Sequence, residues 1–309
     1  MLVSVITATY NRAATLPALF ASIVAQDADV EWVVVDDGST DDTAELVVAM
    51  AESAPFPVRL LRQPNRGKHV ALNRGIPMAR GSMALLIDSD DALLPGGLGR
   101  LLDRWREIPA GRQSAFFGVV GRCVDETGRR IGDSFPRHRP VDCTWHDAVY
   151  VHRARGDRSG LLRTDVLRAH PFPEPDDRSF VLEGLVWRQI GRRYLTRYVD
   201  DPLVLVNTSG HDRLTRRPLG EICAALRDYH AAVLKEDMPW FRHSPALFIR
   251  AAVQYGRLSM VERIPLHRQG AELPGPARLL WASTLPVSTL LSLWDRRDRH
   301  EGGSVRPGS

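Results

Sequence analysis

Within residues 1 to 110, four short apolar runs alternate with stretches of helical periodicity, and that alternation leaves few architectures open. Val3 to Thr7, Trp32 to Asp36, Val58 to Arg62 and Met83 to Ile87 are the candidate strands. After the first, Leu16, Leu19, Phe20, Ile23 and Val24 recur at helical spacing, with Thr15 as candidate N-cap and Pro17 tolerated in the first turn. A second helix is expected from Ser39 or Thr40 through Met50, a third from Lys68 to Ala79, and a fourth after Pro95 with Leu98, Leu101, Leu102 and Trp105 facing inward. Strand-helix units repeated in this way build a mostly parallel α/β sheet flanked by helices.

Past residue 110 the pattern changes. Ala115 to Val124 reads as a strand followed by a turn at Asp125-Glu126-Thr127-Gly128, so the sheet is expected to become mixed. Residues 180 to 194 read as a helix, with two short strands after it near Tyr198 and at Leu203 to Val206. From Pro218 the chain turns helical, over 219 to 235, 245 to 259 and 276 to 294. This divides the sequence into residues 1–110, 111–217 and a helical extension at 218–309.

Composition excludes some classes. Apolar residues at 44% and charged residues at 25% match an ordinary globular chain, and a net charge of +4 is small. Arginine pairs at 192–193, 216–217 and 296–297 suit phosphates or anionic lipid heads, but they lack the interleaved aromatics of single-strand nucleic-acid binding, and no nucleic-acid partner is expected. Cys123, Cys143 and Cys223 are widely spaced and odd in number, which argues against a disulfide framework and a thiolate zinc site and for a reducing compartment. The N-terminal residues read as the first strand, not as a leader, so a cytoplasmic protein is expected, with the inner face of the membrane as an alternative. That alternative comes from residues 276 to 297. Ala277 to Trp294 carries Trp281 and Trp294 near its ends, includes Pro286 and falls short of a spanning length. It suits either an interfacial helix on a membrane surface or a helix packed on the domain.

The polar clusters fall where an open α/β sheet gathers ligands, at the carboxyl ends of its strands. Thr7-Ala8-Thr9-Tyr10-Asn11, Asp36-Asp37-Gly38-Ser39, Asn65-Arg66-Gly67-Lys68 and Asp88-Ser89-Asp90-Asp91 end the four strands in turn. Three carboxylates within four residues, directly after the apolar run Ala84 to Ile87, repel one another unless a cation joins them. Mg²⁺ or Mn²⁺ takes few carboxylates and fills its remaining positions with water and phosphate oxygens, which suits a diphosphate ligand. Ser39 is expected to cap the second helix, leaving Asp36 and Asp37 free to accept from a base or ribose.

Together with Ala71-Leu72-Asn73-Arg74-Gly75, these motifs closely resemble the inverting family 2 glycosyltransferases of the GT-A fold, in order and in spacing, over roughly residues 2 to 215. The resemblance implies a nucleotide-binding sheet continuing into a mixed sheet. Residues 1–110 would be the donor half and residues 111–217 the acceptor and catalytic half. Thr7, Thr9, Asn11 and Asp37 would hold nucleobase and ribose, and Asn65, Lys68 and Asn73 would line the same pocket. Asp88 would stand near the ribose, and Asp90, in the DXD motif, would coordinate the metal. His211 would add a metal or phosphate contact, with Arg213 and Thr215 closing on the diphosphate. Glu183 matches the family's base, which deprotonates the acceptor hydroxyl, but Gly184 replaces the second acid usual there. The implied reaction moves a sugar from a nucleoside diphosphate sugar to a hydroxyl of a glycan or lipid-linked glycan. Nucleotidyl transfer is disfavoured because only Arg12 offers a basic group near the first strand, and a non-catalytic sugar-nucleotide binding protein remains the other alternative.

Overall fold

A computed structural model describes residues 1–300 except 134, 137, 176–179 and 209–217, with side chains described as far as Asp295. The chain forms two compact units, Met1–Ser179 with Val186–Gly210, and Phe180–Leu185 with the C-terminal residues 211–309.

The first unit is built on a nine-stranded mixed sheet. β1 (Val3–Thr9), β2 (Val30–Asp36), β3 (Val58–Arg62) and β4 (Met83–Leu86) are mutually parallel in the order β3-β2-β1-β4. β2 is buried along its whole length, as expected of a central parallel strand covered on both faces. Helices α1 (Leu16–Val24), α2 (Thr43–Ser53), α3 (Lys68–Met78) and α4 (Gly97–Arg106) follow or precede these strands in the expected places. One core gathers Val3, Val5, Leu16, Trp32, Val34 and Leu101, and a second, on the opposite face, gathers Ile6, Val33, Leu72 and Ile76. Alternate residues of β1 and β2 thus point into different cores, as the two-residue period of a strand demands.

Beyond β4 the order continues β8-β6-β9-β5, with β7 also on β9. β8 (Arg158–Arg163) is antiparallel to both β4 and β6 (Phe116–Val124), β9 (Leu195–Leu205) runs parallel to β6, and β5 (Ala92–Leu93) and β7 (Val141–Cys143) are antiparallel to β9. The expected mixed continuation is therefore present, but β5, β7, β8 and α5 (Thr164–Ala169) are additional to the sequence reading. The two strands expected near residues 198 and 204 are one. β9 runs through Asp200-Asp201-Pro202 because shifts of register against β6 accommodate the irregular stretch.

Three local expectations are corrected. α2 begins at Thr43, not at Ser39 or Thr40, because the Asp41 carboxylate accepts from Thr43 N (3.2 Å) and Thr43 Oγ1 (2.5 Å) ahead of the helix. Thr15 stands at the N-cap of α1 without capping it, its hydroxyl donating instead to the Ser89 carbonyl at 2.9 Å. The helix expected over 180 to 194 is α6, Gly184–Ile190.

At the N-terminal end of β2 the buried Glu31 accepts from Ser4 Oγ (2.5 Å) and the Arg80 and Gly81 amides, and pairs with Arg59 at 2.5 Å. Burial alone would raise its pKa, but these partners outweigh burial and hold it below the ordinary value. They fasten β1, β2, β3 and the turn before β4 at the edge of the sheet remote from the polar clusters.

The second unit is helical, with α7 (Leu219–Glu236), α8 (Pro245–Val261), α9 (Leu266–Ala271) and α10 (Gly275–His300). Arg227 of α7 reaches Ser259 Oγ of α8 at 3.2 Å and Glu272, after α9, at 2.5 Å. No described helix is long and apolar enough to cross a membrane.

Candidate active site

The loops leaving β1 and β2 are laced together. Asn11, at a φ of 52° that asparagine tolerates better than most residues, receives Thr40 N on its side-chain oxygen at 2.8 Å, and its own amide donates to Ser39 Oγ at 2.9 Å. Ser39 is thus a cross-loop brace and not the expected helix cap. Gly38 has a φ of +83°, and a Cβ there would stand 2.8 Å from Asn65 N and 3.1 Å from the Gln63 carbonyl. Only glycine lets the β2 and β3 loops approach this closely.

Asp37 organises the third loop. Its buried carboxylate accepts from Gln63 Nε2 (2.7 Å), Arg66 N (2.9 Å) and Gly67 N (2.7 Å). Asp36 beside it accepts from Ser39 N at 2.9 Å and pairs with Arg62 at 2.9 Å. Both carboxylates, read from sequence as free, are therefore engaged by protein, although Asp37 keeps capacity for one further donor.

Thr7 is wholly buried and its hydroxyl accepts from the Trp32 indole at 3.1 Å. Two positions on, Thr9 is also buried, with its hydroxyl unpartnered among the described residues. Asn65 is exposed beside the Gly38 turn. The Asn73 amide is spent on residues 172–174: its nitrogen donates to the Phe172 carbonyl (2.8 Å) and Glu174 Oε1 (2.7 Å), and its oxygen accepts from Phe172 N (2.8 Å).

Lys68, the first residue of α3, meets Asp88 at 2.5 Å and so joins the loop after β3 to the acidic turn. That turn is held by Asp91 N donating to the Asp88 carbonyl, by Thr15 on Ser89, and by Asn207 N donating to Asp91 Oδ1 at 3.1 Å. The Asp91 carboxyl is pushed up to about 7, first by burial and then by Asp88 and Asp90, against the Asn207 hydrogen bond and Lys68. Asp90 is half-buried, and its carboxylate accepts no hydrogen bond and joins no ion pair among the described residues. No group of three His, Cys, Asp or Glu side chains able to hold a metal forms among the described residues. The donor set still fits a cation that takes one or two carboxylates and completes its shell with water and phosphate, because Asp90 is engaged by no protein donor among the described residues and the partly buried Asp91 beside it disfavours its own ionisation until such a charge arrives.

Sequence reasoning missed His69. It is buried at the start of α3, and both ring nitrogens lack a hydrogen-bond partner among the described residues. Burial foremost holds its pKa below the ordinary value, with Arg66 adding to that and Glu174 and Asp37 opposing it. The adjacency to Lys68 in a strand-end loop was the available signal.

Glu183 lies in the turn that precedes α6, partly exposed. Within the second unit a Cβ at Gly184 would stand 2.9 Å from the Tyr229 ring, which would have to shift to admit a second acid there. His211, Arg213 and Thr215 lie outside the described residues.

A mixed sheet with four parallel strands, polar loops at their carboxyl ends and a C-terminal helical region defines a GT-A glycosyltransferase fold. The chain belongs to glycosyltransferase family 2, whose model matches residues 4–159. Succinoglycan biosynthesis protein ExoU of Rhizobium meliloti is 37% identical over 106 residues, covering 33% of this chain and 31% of the relative. The PGL/p-HBAD biosynthesis glycosyltransferase of Mycobacterium bovis is 38% identical over 91 residues, 29% of this chain and 36% of the relative. The matched stretch thus spans about a third of the length of each of these curated relatives. Among solved structures, S. aureus TarS 1-349 in complex with UDP-GlcNAc aligns at a TM-score of 0.63 and 18% identity, over 99% of this chain and 93% of that one. A mannosyltransferase from Pyrobaculum calidifontis, in complex with GDP-Man and Mn²⁺, aligns at 0.57 and 20% identity, over 95% and 87%.

Proposed function

We propose that the chain transfers a sugar, with inversion, from a nucleoside diphosphate sugar to a hydroxyl of a glycan or lipid-linked glycan, in the cytoplasm and with Mg²⁺ or Mn²⁺. The observation that carries this reading is the convergence of the four strand-end motifs on one edge of the sheet, where the Lys68–Asp88 pair links the nucleotide loops to the acidic turn. Family membership and structural neighbours holding UDP-GlcNAc or GDP-Man support a uridine or guanosine diphosphate donor. Relatives named for the biosynthesis of succinoglycan and of PGL/p-HBAD support an acceptor of the glycan or glycolipid class.

In this reading Thr9, Asn11, Asp37 and Asn65 bind base and ribose. Thr7 and Asn73, whose polar groups are already engaged, act one layer behind them. Lys68 and Asp88 position the ribose and diphosphate, and Arg213, Thr215 and His211 close over the phosphates. Asp90 is the metal ligand, and a bound divalent ion offsets charge on the departing diphosphate. Glu183 takes the proton of the acceptor hydroxyl as its oxygen attacks the anomeric carbon, and the bond from that carbon to the diphosphate oxygen breaks on the opposite face.

The test is a turnover screen of nucleotide sugars with Mn²⁺ or Mg²⁺, run on the wild type, Asp90→Ala and Glu183→Gln. The expected result is metal-stimulated turnover that Asp90→Ala loses, and donor binding without turnover in Glu183→Gln. Full metal-stimulated turnover in Asp90→Ala overturns the metal assignment, and undiminished turnover in Glu183→Gln overturns the base.

A further inference from the structure

Helix α10 wears its polarity inside out. Its packed face presents Ala277, Trp281, Thr284, Ser288, Ser292 and Asp295, all buried. Apart from Trp281 and Ala277 that face is polar: Ser288 Oγ donates to the Val253 carbonyl of α8 at 3.0 Å, and Asp295 forms a two-pronged pair with Arg257 of α8 at 2.6 and 2.7 Å. A Cβ on Gly256 of α8 would stand 2.8 Å from Ser288 Oγ and 3.4 Å from the Trp281 indole nitrogen, so the two helices approach closely at this glycine.

The outward face is the apolar one. Leu279 is 75% exposed, Leu290 69% and Trp294 65%, with Val287 and Leu293 half-exposed in the same stripe. Residues 279 to 294 contain no charged side chain. A helix that faces water carries its polar residues outward, so this stripe calls for an apolar environment that the second unit itself does not supply.

We propose that the outer face of α10 docks on the surface of an anionic lipid bilayer, lying in its plane. Charge selects this occupant. Residues 242–300 hold nine arginines against four acids, whereas residues 1–241 carry one more acid than base, so the chain's positive excess sits in the segment that bears the stripe. Anionic headgroups complement such a segment, while a second copy would set arginine against arginine. Trp294 at the end of the stripe suits the headgroup layer. The stripe's 16 residues extend about 24 Å at 1.5 Å per residue, too short to span a hydrocarbon core, in line with the absence of any spanning helix among the described residues. The proposal is independent of the transferase chemistry, since it rests on none of the strand-end residues.

The test is flotation of the full chain with vesicles of phosphatidylcholine alone or mixed with phosphatidylglycerol, at low and high salt. Alongside it, sedimentation without lipid is compared for the wild type and the Leu279→Glu/Leu290→Glu double variant. Both leucines point outward, so the variant should melt with the wild type and bind nucleotide equally. The expected result is flotation of the wild type with anionic vesicles, weakened by salt, and a loss of at least about tenfold in partitioning for the variant. Equal flotation of the two proteins, or no flotation of the wild type, overturns the proposal. A wild-type dimer that the double variant converts to monomer assigns the face to a second copy and overturns it too.

Discussion

Replacing Asp37 with asparagine tests whether this carboxylate holds the β3 loop in shape for a nucleotide. The three N–H groups from Gln63, Arg66 and Gly67 fall on both of its oxygens, at 2.7 to 2.9 Å. An amide keeps one oxygen and turns the other into a donor, so at least one N–H must face another donor. A hydrogen bond to a charged group contributes about 1.5–3 kcal/mol, and a buried donor left unsatisfied costs about 1–3 kcal/mol. Asp37→Asn should therefore destabilise the closed loop by about 3 kcal/mol, part of which the loop recovers by opening to water. If nucleotide binding must first reclose it, the dissociation constant rises up to about a hundredfold, at 1.4 kcal/mol per tenfold. Titration calorimetry with UDP and GDP, each with Mn²⁺, reads the affinity, and thermal unfolding reads the stability. Gln63→Leu serves as the control, because it removes one of the three donors and leaves the acid in place, and its effect should be the smaller. Affinity and melting temperature both unchanged in Asp37→Asn would refute the bracing role.

Three further outcomes follow from the same geometry. Gly38→Ala should cost about 2 kcal/mol or more in unfolding free energy, since the new methyl meets the backbone of residues 63 and 65 at a positive φ; chemical denaturation with no shift in midpoint would remove that constraint. Because the folded pKa of His69 lies below its ordinary 6.5, the unfolded chain takes the proton first, so stability is full above pH 6.5 and falls as pH drops below it. The slope attributable to His69 is at most about 1.4 kcal/mol per pH unit, and equal pH-dependence of unfolding in wild type and His69→Gln would contradict it. Glu31→Ala strands Ser4 Oγ, Arg59 and the Arg80 amide and should cost about 3 kcal/mol, with a loss below about 1 kcal/mol in denaturation counting against its anchoring role.

Much of the fold was legible because β1 to β4 announce themselves locally. Each has an apolar run with a polar loop at its carboxyl end, and β1 and β2, parallel strands buried along nearly their whole length, leave little ambiguity. Later strands were harder to see. β8 carries Arg158, Ser159 and Gly160 and shows no alternation, β5 has two residues, and Asp200-Asp201-Pro202 interrupts the pattern of β9. At the site, residue types and positions were legible, but hydrogen-bond partners were not. Nothing local to Asn73 reveals that its amide closes on Phe172, 99 residues away, or that Asp37 is taken up by residues 63 to 67. The resemblance located Glu183, while the ring that stands against its glycine neighbour belongs to Tyr229, remote in sequence.

That tyrosine also governs what a side chain at position 184 would meet. An acid introduced at 184 would enter space that the edge of the ring now fills, so the ring has to swing aside or give way to a smaller side chain before a second carboxylate fits beside Glu183. The side chain whose position decides how readily residue 184 takes an acid is therefore one with no acid–base chemistry in the proposed reaction.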